Sequence, residues 1–112
     1  MPSILQKLEK QSLPKRQSPT IPSLVVEAAD RLGMVLDMTS PSVPEQYDVS
    51  RSGSICGYIR VRHGGMTVSY PDVDGEDLYV GSVDGFAGFT DHEREAKLLF
   101  ALALIAARML PA

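Results

Sequence analysis

The sequence predicts an α+β fold, with an N-terminal helix, a three- to four-stranded antiparallel meander and a long C-terminal helix packed on one sheet face. Apolar residues recur at helical spacing over residues 22–32 and alternate with polar residues over residues 55–70. A long apolar run follows a capping motif near residue 90. The chain has 112 residues, 44% of them hydrophobic, which is the size and composition of one domain.

Residues 1–20 are predicted to form a flexible basic arm, and residues 21–112 to form a single α+β domain. The arm holds three prolines and four basic residues against one acidic residue. It shows little apolar periodicity, so it cannot bury enough surface to offset the entropy lost on ordering.

The first helix is predicted over Pro22 to Leu32, where a proline is tolerated in the first turn and Gly33 follows as a left-handed C-terminal cap. The last helix is predicted from Asp91 to about Leu110, because Thr90 with Glu93 forms a capping box. The predicted core is drawn from both helices and the strands: Leu24, Val25, Ala28, Leu32, Ile59, Val61, Met66, Val68, Val80, Leu98, Leu102, Ile105 and Met109.

The strands are predicted from period-two alternation. Residues 55–62 and 66–70 alternate and are joined by a glycine turn, which predicts a hairpin, and a third strand resumes near Leu78 after an acidic turn. A short fourth strand is predicted over residues 34–38, before the hairpin. Residues 39–53 contain two prolines and four serines, which predicts a loop.

Negative charge is concentrated between residues 71 and 95, which hold eight acidic residues and one arginine. We predict a partner-binding surface there, with carboxylates for a basic surface and phenylalanines as anchors. Its residues are Asp72, Asp74, Glu76, Asp77, Asp84, Phe86 and Phe89. Calcium also favours clustered carboxylates, but EF-hand registers that start at Asp72 or Asp84 place wrong residue types at ligand positions, so no metal site is predicted.

Two further sets of residues support alternative functions. The last helix is apolar nearly all round, so Phe100 and Leu104 are predicted to pack against another element or to form a homodimer seam. Aromatic and guanidinium groups on a sheet suit RNA or single-stranded DNA; here they are Arg51, Tyr58, Arg60 and Arg62.

The predicted order of helix, three strands and helix resembles the topology of double-stranded-RNA-binding domains. That family carries lysines at the start of its last helix, whereas this chain has Asp91, Glu93 and Glu95 there. These carboxylates repel phosphates, so nucleic acid ranks below protein as the predicted partner.

No catalytic residue, cofactor or enzymatic activity is predicted. His63 lies in a glycine turn, His92 in the first turn of a helix and Cys56 on a strand, and none has a partner group at a spacing typical of a catalytic or metal site. The longest apolar run, residues 98–107, is half the length needed to span a bilayer, and we expect a cytoplasmic protein with no membrane partner.

The leading hypothesis is therefore a small non-enzymatic protein, an inhibitor or adaptor, that occupies a basic surface of another protein. A nucleic-acid-binding machine is one such partner, because an acidic protein can occupy the place of phosphates. In size and style the chain is similar to accessory proteins of phages and mobile elements. The alternatives are a homodimeric structural or adaptor protein and an RNA- or single-stranded-DNA-binding module.

Overall fold

The computed structural model describes residues 19–110 and contains two helices and one antiparallel sheet of five strands, with sequence neighbours adjacent in the sheet. The elements are α1 (Ser23–Arg31), β1 (Met34–Pro41), β2 (Glu45–Arg51), β3 (Ser54–Arg62), β4 (Gly65–Tyr70), β5 (Glu76–Ser82) and α2 (Asp91–Met109). The α+β class, the meander and the C-terminal helix are confirmed. Most of the predicted arm, residues 1–18, lies outside the described residues.

The prediction of three to four strands is wrong, because the stretch predicted as a loop contains β2. Tyr47 and Val49 alternate there with polar residues, and both are buried. The inward position before them is Glu45, which is also buried, so the strand's apolar face begins with a charged residue. With five strands between the helices, the predicted resemblance to double-stranded-RNA-binding domains does not hold.

Both helices lie on the same face of the sheet. α2 crosses β3, where an added Cβ at Gly57 would lie 2.4 Å from Ile105 Cδ1, and α1 packs beside it over β1. Most of the predicted core is buried or half-buried. Leu24 and Val80 are exceptions, because both are exposed. Val80 pairs with Thr67 and lies on the sheet face away from the helices. Its neighbour Tyr79 packs against the core, and successive residues of a strand point to opposite faces.

The two edge strands are irregular. The pairing of β1 with β2 shifts between Met38 and Ser40, which leaves Thr39 unpaired in the register. The pairing of β5 with β4 shifts so that Leu78 is passed over. Such bulges bend and twist a strand locally.

The start of α2 is fixed by the predicted capping box. The Thr90 side chain accepts a hydrogen bond from the Glu93 backbone N–H at 3.2 Å, and the Glu93 carboxylate accepts one from the Thr90 N–H at 2.8 Å. The helix runs from the end of the sheet that carries the β3–β4 turn towards the end that carries the β4–β5 turn.

Candidate partner-binding surfaces

The β4–β5 turn, residues 71–75, forms an exposed acidic tip together with Glu76 and Asp77 at the start of β5. The Asp74 N–H donates to Asp72 Oδ1 at 3.0 Å, and the Gly75 N–H donates to the Asp72 carbonyl at 2.9 Å. A Cβ at Gly75 would lie 2.0 Å from the Tyr70 carbonyl oxygen, so the tight turn requires glycine. Between the two aspartates, Val73 is 54% exposed. The acidic tip therefore presents carboxylates around an apolar side chain.

Arg108 of α2 holds the acidic tip against the helix. Its Nε and Nη2 lie 3.1 and 2.8 Å from Glu76 Oε1, and its guanidinium carbon lies 4.8 Å from the centroid of the Tyr70 ring. Asp77 accepts a hydrogen bond from Ser69 Oγ at 3.2 Å. Neither Asp72 nor Asp74 takes part in an ion pair within residues 19–110. These two carboxylates project from a tip whose base is fixed.

Three connections meet at the opposite end of the sheet, which we call the loop end. They are the β1–β2 turn, the β3–β4 turn and the loop from β5 to α2. The Gly64 N–H of the β3–β4 turn donates to the Phe86 carbonyl at 3.1 Å, and the Val43 N–H of the β1–β2 turn donates to the Ala87 carbonyl at 2.9 Å. Phe86 is 69% exposed, with its ring centroid 5.4 Å from that of His63. The loop end therefore displays an aromatic ring supported from one side.

The predicted partner-binding residues are thus divided between two places. Those at 72–77 lie in the acidic tip, whereas Asp84 and Phe86 lie at the loop end, separated from it by the length of β5, about 20 Å at roughly 3.3 Å per residue. Phe89 is only 5% exposed and belongs to the core, so the prediction that it is an exposed anchor is corrected. Its neighbouring glycines turn the chain so that this ring points inwards.

A buried ion pair underlies the loop end. Arg94 Nε lies 2.8 Å from Glu45 Oε2, and Arg94 Nη2 lies 3.0 Å from Glu45 Oε1. Arg94 Nη2 also donates to the Phe89 carbonyl at 3.0 Å. Arg94 Nη1 donates to Asp91 Oδ1 at 2.6 Å. Glu45 further accepts the Tyr47 hydroxyl at 2.5 Å and the Phe89 N–H at 3.0 Å. Every oxygen of the buried carboxylate is therefore satisfied.

This pairing alters how the buried groups titrate. The hydrogen bonds to Glu45 raise the pKa of Arg94 above its ordinary range, against the opposing effect of burial. Burial, together with the hydrogen bond to Glu45, raises the pKa of Tyr47 well above its ordinary value. Tyr47 and Arg94 therefore keep their protons across the physiological range.

Glu93 fastens the loop that leads into α2. Its carboxylate accepts the N–H groups of Asp84 at 2.8 Å and Gly85 at 2.9 Å in addition to that of Thr90. Burial alone would raise the pKa of Glu93, but these backbone hydrogen bonds outweigh it and lower the pKa below its ordinary value of 4.5. Folding thus stabilises the ionised carboxylate.

We expect the protein to lose stability on acidification through Glu93. Because the folded pKa is below the unfolded one, the stabilisation is complete above the unfolded pKa and is lost as the pH falls through the folded value. The thermal midpoint of the wild type should fall more steeply below pH 4.5 than that of Glu93→Gln. Glu95→Gln, from the same helical turn, is the control; an equal slope in all three proteins contradicts the assignment.

A groove of about 940 Å³ opens beside the loop end. Its floor includes the buried pair Glu45 and Arg94, and the Asp91 carboxylate, 96% exposed, also lines it. The other lining residues are Pro19, Thr20, Pro22, Pro41, Ser42, Gly85, Phe86, Ala87, Gly88, Phe89 and Thr90. The groove therefore combines apolar and polar walls in similar measure with one accessible carboxylate. Sequence reasoning did not single out Glu45, Arg94 or the groove.

The residues predicted for nucleic acid are not assembled into one surface. Tyr58, Arg60 and Arg62 share the sheet face away from the helices. Tyr58, however, is only 8% exposed, and its hydroxyl donates to Gln46 Oε1. Arg51 lies at the other end of β2, about 17 Å from Gln46 at roughly 3.3 Å per residue. The ring therefore lacks the open face that base stacking requires.

The residues predicted for dimerisation are partly covered within the chain. Phe100 is exposed, yet its ring meets that of Tyr79 edge-on with centroids 4.9 Å apart, and Leu104 is half-buried against the core. Around Phe100, the outward face of α2 carries the exposed alanines Ala96, Ala103 and Ala107. The helix thus keeps an apolar outer stripe.

The three residues considered for catalysis lie on different elements of the fold. His63 lies in the β3–β4 turn, His92 in the first turn of α2 and Cys56 on β3. His63 and His92 are exposed, and Cys56 is buried, where desolvation raises the pKa of its thiol against the effect of Arg51. Within residues 19–110, groups of three or more metal-ligating side chains are absent. In the same range, neither helix is long and apolar enough to cross a membrane.

Comparison of the chain with protein-family models, with curated proteins and with solved structures finds no match.

Proposed function

We propose that this protein is a non-enzymatic binding protein, an inhibitor or adaptor, that docks its acidic tip on a basic surface of a partner protein. The observation that carries the proposal is the pair of exposed carboxylates, Asp72 and Asp74, beside the exposed Val73. Carboxylates steer a basic partner and fix the register, and an apolar side chain supplies area that excludes water.

Rigidity of the acidic tip supports the same function. Within the turn, the Asp74 and Gly75 N–H groups donate to Asp72. Arg108 pairs with Glu76 and packs on Tyr70. Together these contacts order the tip before a partner arrives. A preformed surface loses less conformational entropy on binding than a mobile one. Among the ion pairs of residues 19–110, none neutralises Asp72, Asp74 or the exposed Asp77, so their charges are available to another molecule.

Charge also favours protein over nucleic acid as the partner. Asp37 and Asp48 pair directly across β1 and β2, and Asp48 in turn pairs with Tyr58. These acids therefore share the sheet face of Arg60 and offset its positive charge towards phosphates. A partner protein that itself binds nucleic acid is a natural target for the acidic tip, since the tip can occupy the place of phosphates.

Reversal of charge at the acidic tip is expected to weaken partner binding. The partner is captured on the immobilised full chain, purified and titrated by calorimetry. Asp72→Lys/Asp74→Lys places like charges together, which costs several kcal/mol, so we expect at least a roughly hundredfold rise in Kd and a loss of salt dependence. Glu27→Lys/Asp30→Lys changes the net charge equally on α1 and should bind normally.

The outcomes of this titration are distinct. Equal affinity of the tip variant and the wild type contradicts the proposed function. Loss of binding on Arg60→Ala/Arg62→Ala, with nucleic acid as the captured molecule, supports the nucleic-acid alternative instead. Light scattering of the unbound wild type at twice the mass of one chain supports the homodimer alternative, for which the apolar outer stripe around Phe100 is the favouring observation.

A further inference from the structure

We propose that the groove at the loop end binds one lysine or arginine side chain of the partner protein, with an apolar neighbour of that residue against the groove wall. The inference rests on the proposed function, since it assigns a second contact to the same basic partner. Its basis is the juxtaposition of an exposed aromatic ring and an exposed carboxylate on one groove, at Phe86 and Asp91.

The charge of the groove lining selects a cation. It carries two carboxylates, those of Glu45 and Asp91, and one guanidinium, that of Arg94, so the formal charge is negative. Arg94 is engaged by Glu45 through two hydrogen bonds. Asp91 is held through Oδ1 only, and among the hydrogen bonds of residues 19–110 none reaches its Oδ2. A purely apolar ligand would desolvate Oδ2 of this carboxylate and leave that oxygen without a partner, whereas a cationic side chain would supply one.

The mixed apolar and polar lining of the groove suits a long basic side chain. Lysine and arginine bury their methylene stems on apolar surface and keep the charged end at a polar group. Pro22, Pro41 and Ala87 line the walls, and the exposed ring of Phe86 provides a face for a cation. A volume of about 940 Å³ also admits an apolar neighbour of the basic residue.

The surroundings hold these groups in place. The Phe86 ring packs beside His63, and the Phe86 and Ala87 carbonyls accept hydrogen bonds from two other turns. Asp91 is anchored by the buried Arg94. Both recognition groups thus stand on parts of the chain that are fixed by the fold, as a preorganised site requires.

Titration with small peptides tests the groove without the partner. The probes are acetyl-Leu-Arg-Leu-amide and its citrulline analogue, which has the same shape without the charge, added to the ¹⁵N-labelled full chain and followed by NMR. We expect the arginine peptide to shift the amides of residues 85–91 and to bind at least about fivefold more tightly than the citrulline peptide. Asp91→Asn should abolish that preference, and Phe86→Ala should weaken binding about threefold.

Asp72→Asn is the matched control and should leave the peptide affinity unchanged. Equal binding of the two peptides, or shifts confined to the acidic tip, overturns the groove proposal while leaving the proposed function to its own titration. A gain in peptide binding on Lys15→Ala/Arg16→Ala would also overturn it, because the groove would then be serving basic residues of the same chain. Thermal midpoints of Asp91→Asn and Phe86→Ala within a few degrees of the wild type verify that these variants fold.

The partner titration separates the two proposals. If Asp91→Asn and Phe86→Ala weaken partner binding and the tip variant does not, the groove is supported and the acidic tip is not. If only the tip variant weakens it, the groove inference is overturned.

Discussion

Replacement of Arg94 by alanine is expected to lower the free energy of unfolding by about 3–5 kcal/mol, because it leaves the Glu45 carboxylate buried without its counter-charge. The variant also removes the hydrogen bond to the Phe89 carbonyl, which ties the loop end to α2. Urea unfolding followed by circular dichroism measures the change. The loop-end amides should exchange faster with solvent in the same variant.

Two comparisons make this result specific. Arg108→Ala breaks an exposed pair with Glu76 and should cost about 1 kcal/mol or less. Glu45→Ala/Arg94→Ala should cost less than the sum of the two single changes by about 1–3 kcal/mol, because each single change already breaks the interaction. A loss on Arg94→Ala no larger than that on Arg108→Ala would show that the buried pair is not an anchor of the fold.

The second large effect is expected at the contact between β3 and α2. Gly57→Ala should destabilise the protein by about 1–3 kcal/mol through overpacking, because its new Cβ would lie 2.4 Å from Ile105 Cδ1 and 3.0 Å from Cγ1. Ile105 is fully buried, so its side chain has little room to rotate away. Chemical unfolding of the single variants provides the reference values.

Ile105→Val supplies the complementary change, since it removes Cδ1 and should cost about 0.5–1.5 kcal/mol alone. In the double variant Gly57→Ala/Ile105→Val, the new Cβ takes part of the vacated space. The loss of unfolding free energy in the double variant should therefore be smaller than the sum of the two single losses by at least about 1 kcal/mol. Gly81→Ala with Ile105→Val is the control pair, because Gly81 faces Tyr79 instead. Additive costs in the Gly57 pair would refute the close contact.

The fold was largely predictable because its elements carry local signals. Thr90 with Glu93 marked the start of α2, and Gly33, at a φ of 73°, marked the end of α1. β2 escaped prediction because prolines and serines surround it and because its first inward residue is Glu45, whose burial is tolerated only through Arg94, 49 residues away. A local pattern cannot contain such a partner, so the strand resembled a polar loop.

The candidate site was predicted only in part for the same reason. The acidic residues at 72–77 lie together because they belong to one turn and the first two residues of the strand that follows it. Phe86 and Phe89 are close in sequence, yet one is exposed and the other buried, and the glycine loop between them gives no period from which to assign either. Asp91 joined the groove only because α2 begins beside the loop end, which is a consequence of the tertiary fold.

The irregular edges of the sheet have a consequence for self-assembly into fibrils. An edge strand offers unpaired backbone groups on which another chain can add, and fibril-forming segments typically need six or seven regular residues. Here the longest regular stretch at the β1 edge is Met34–Met38, and at the β5 edge it is Tyr79–Ser82. Both stretches are shorter than that length, so we expect the two edges of the described sheet to be poor templates for a growing cross-β stack.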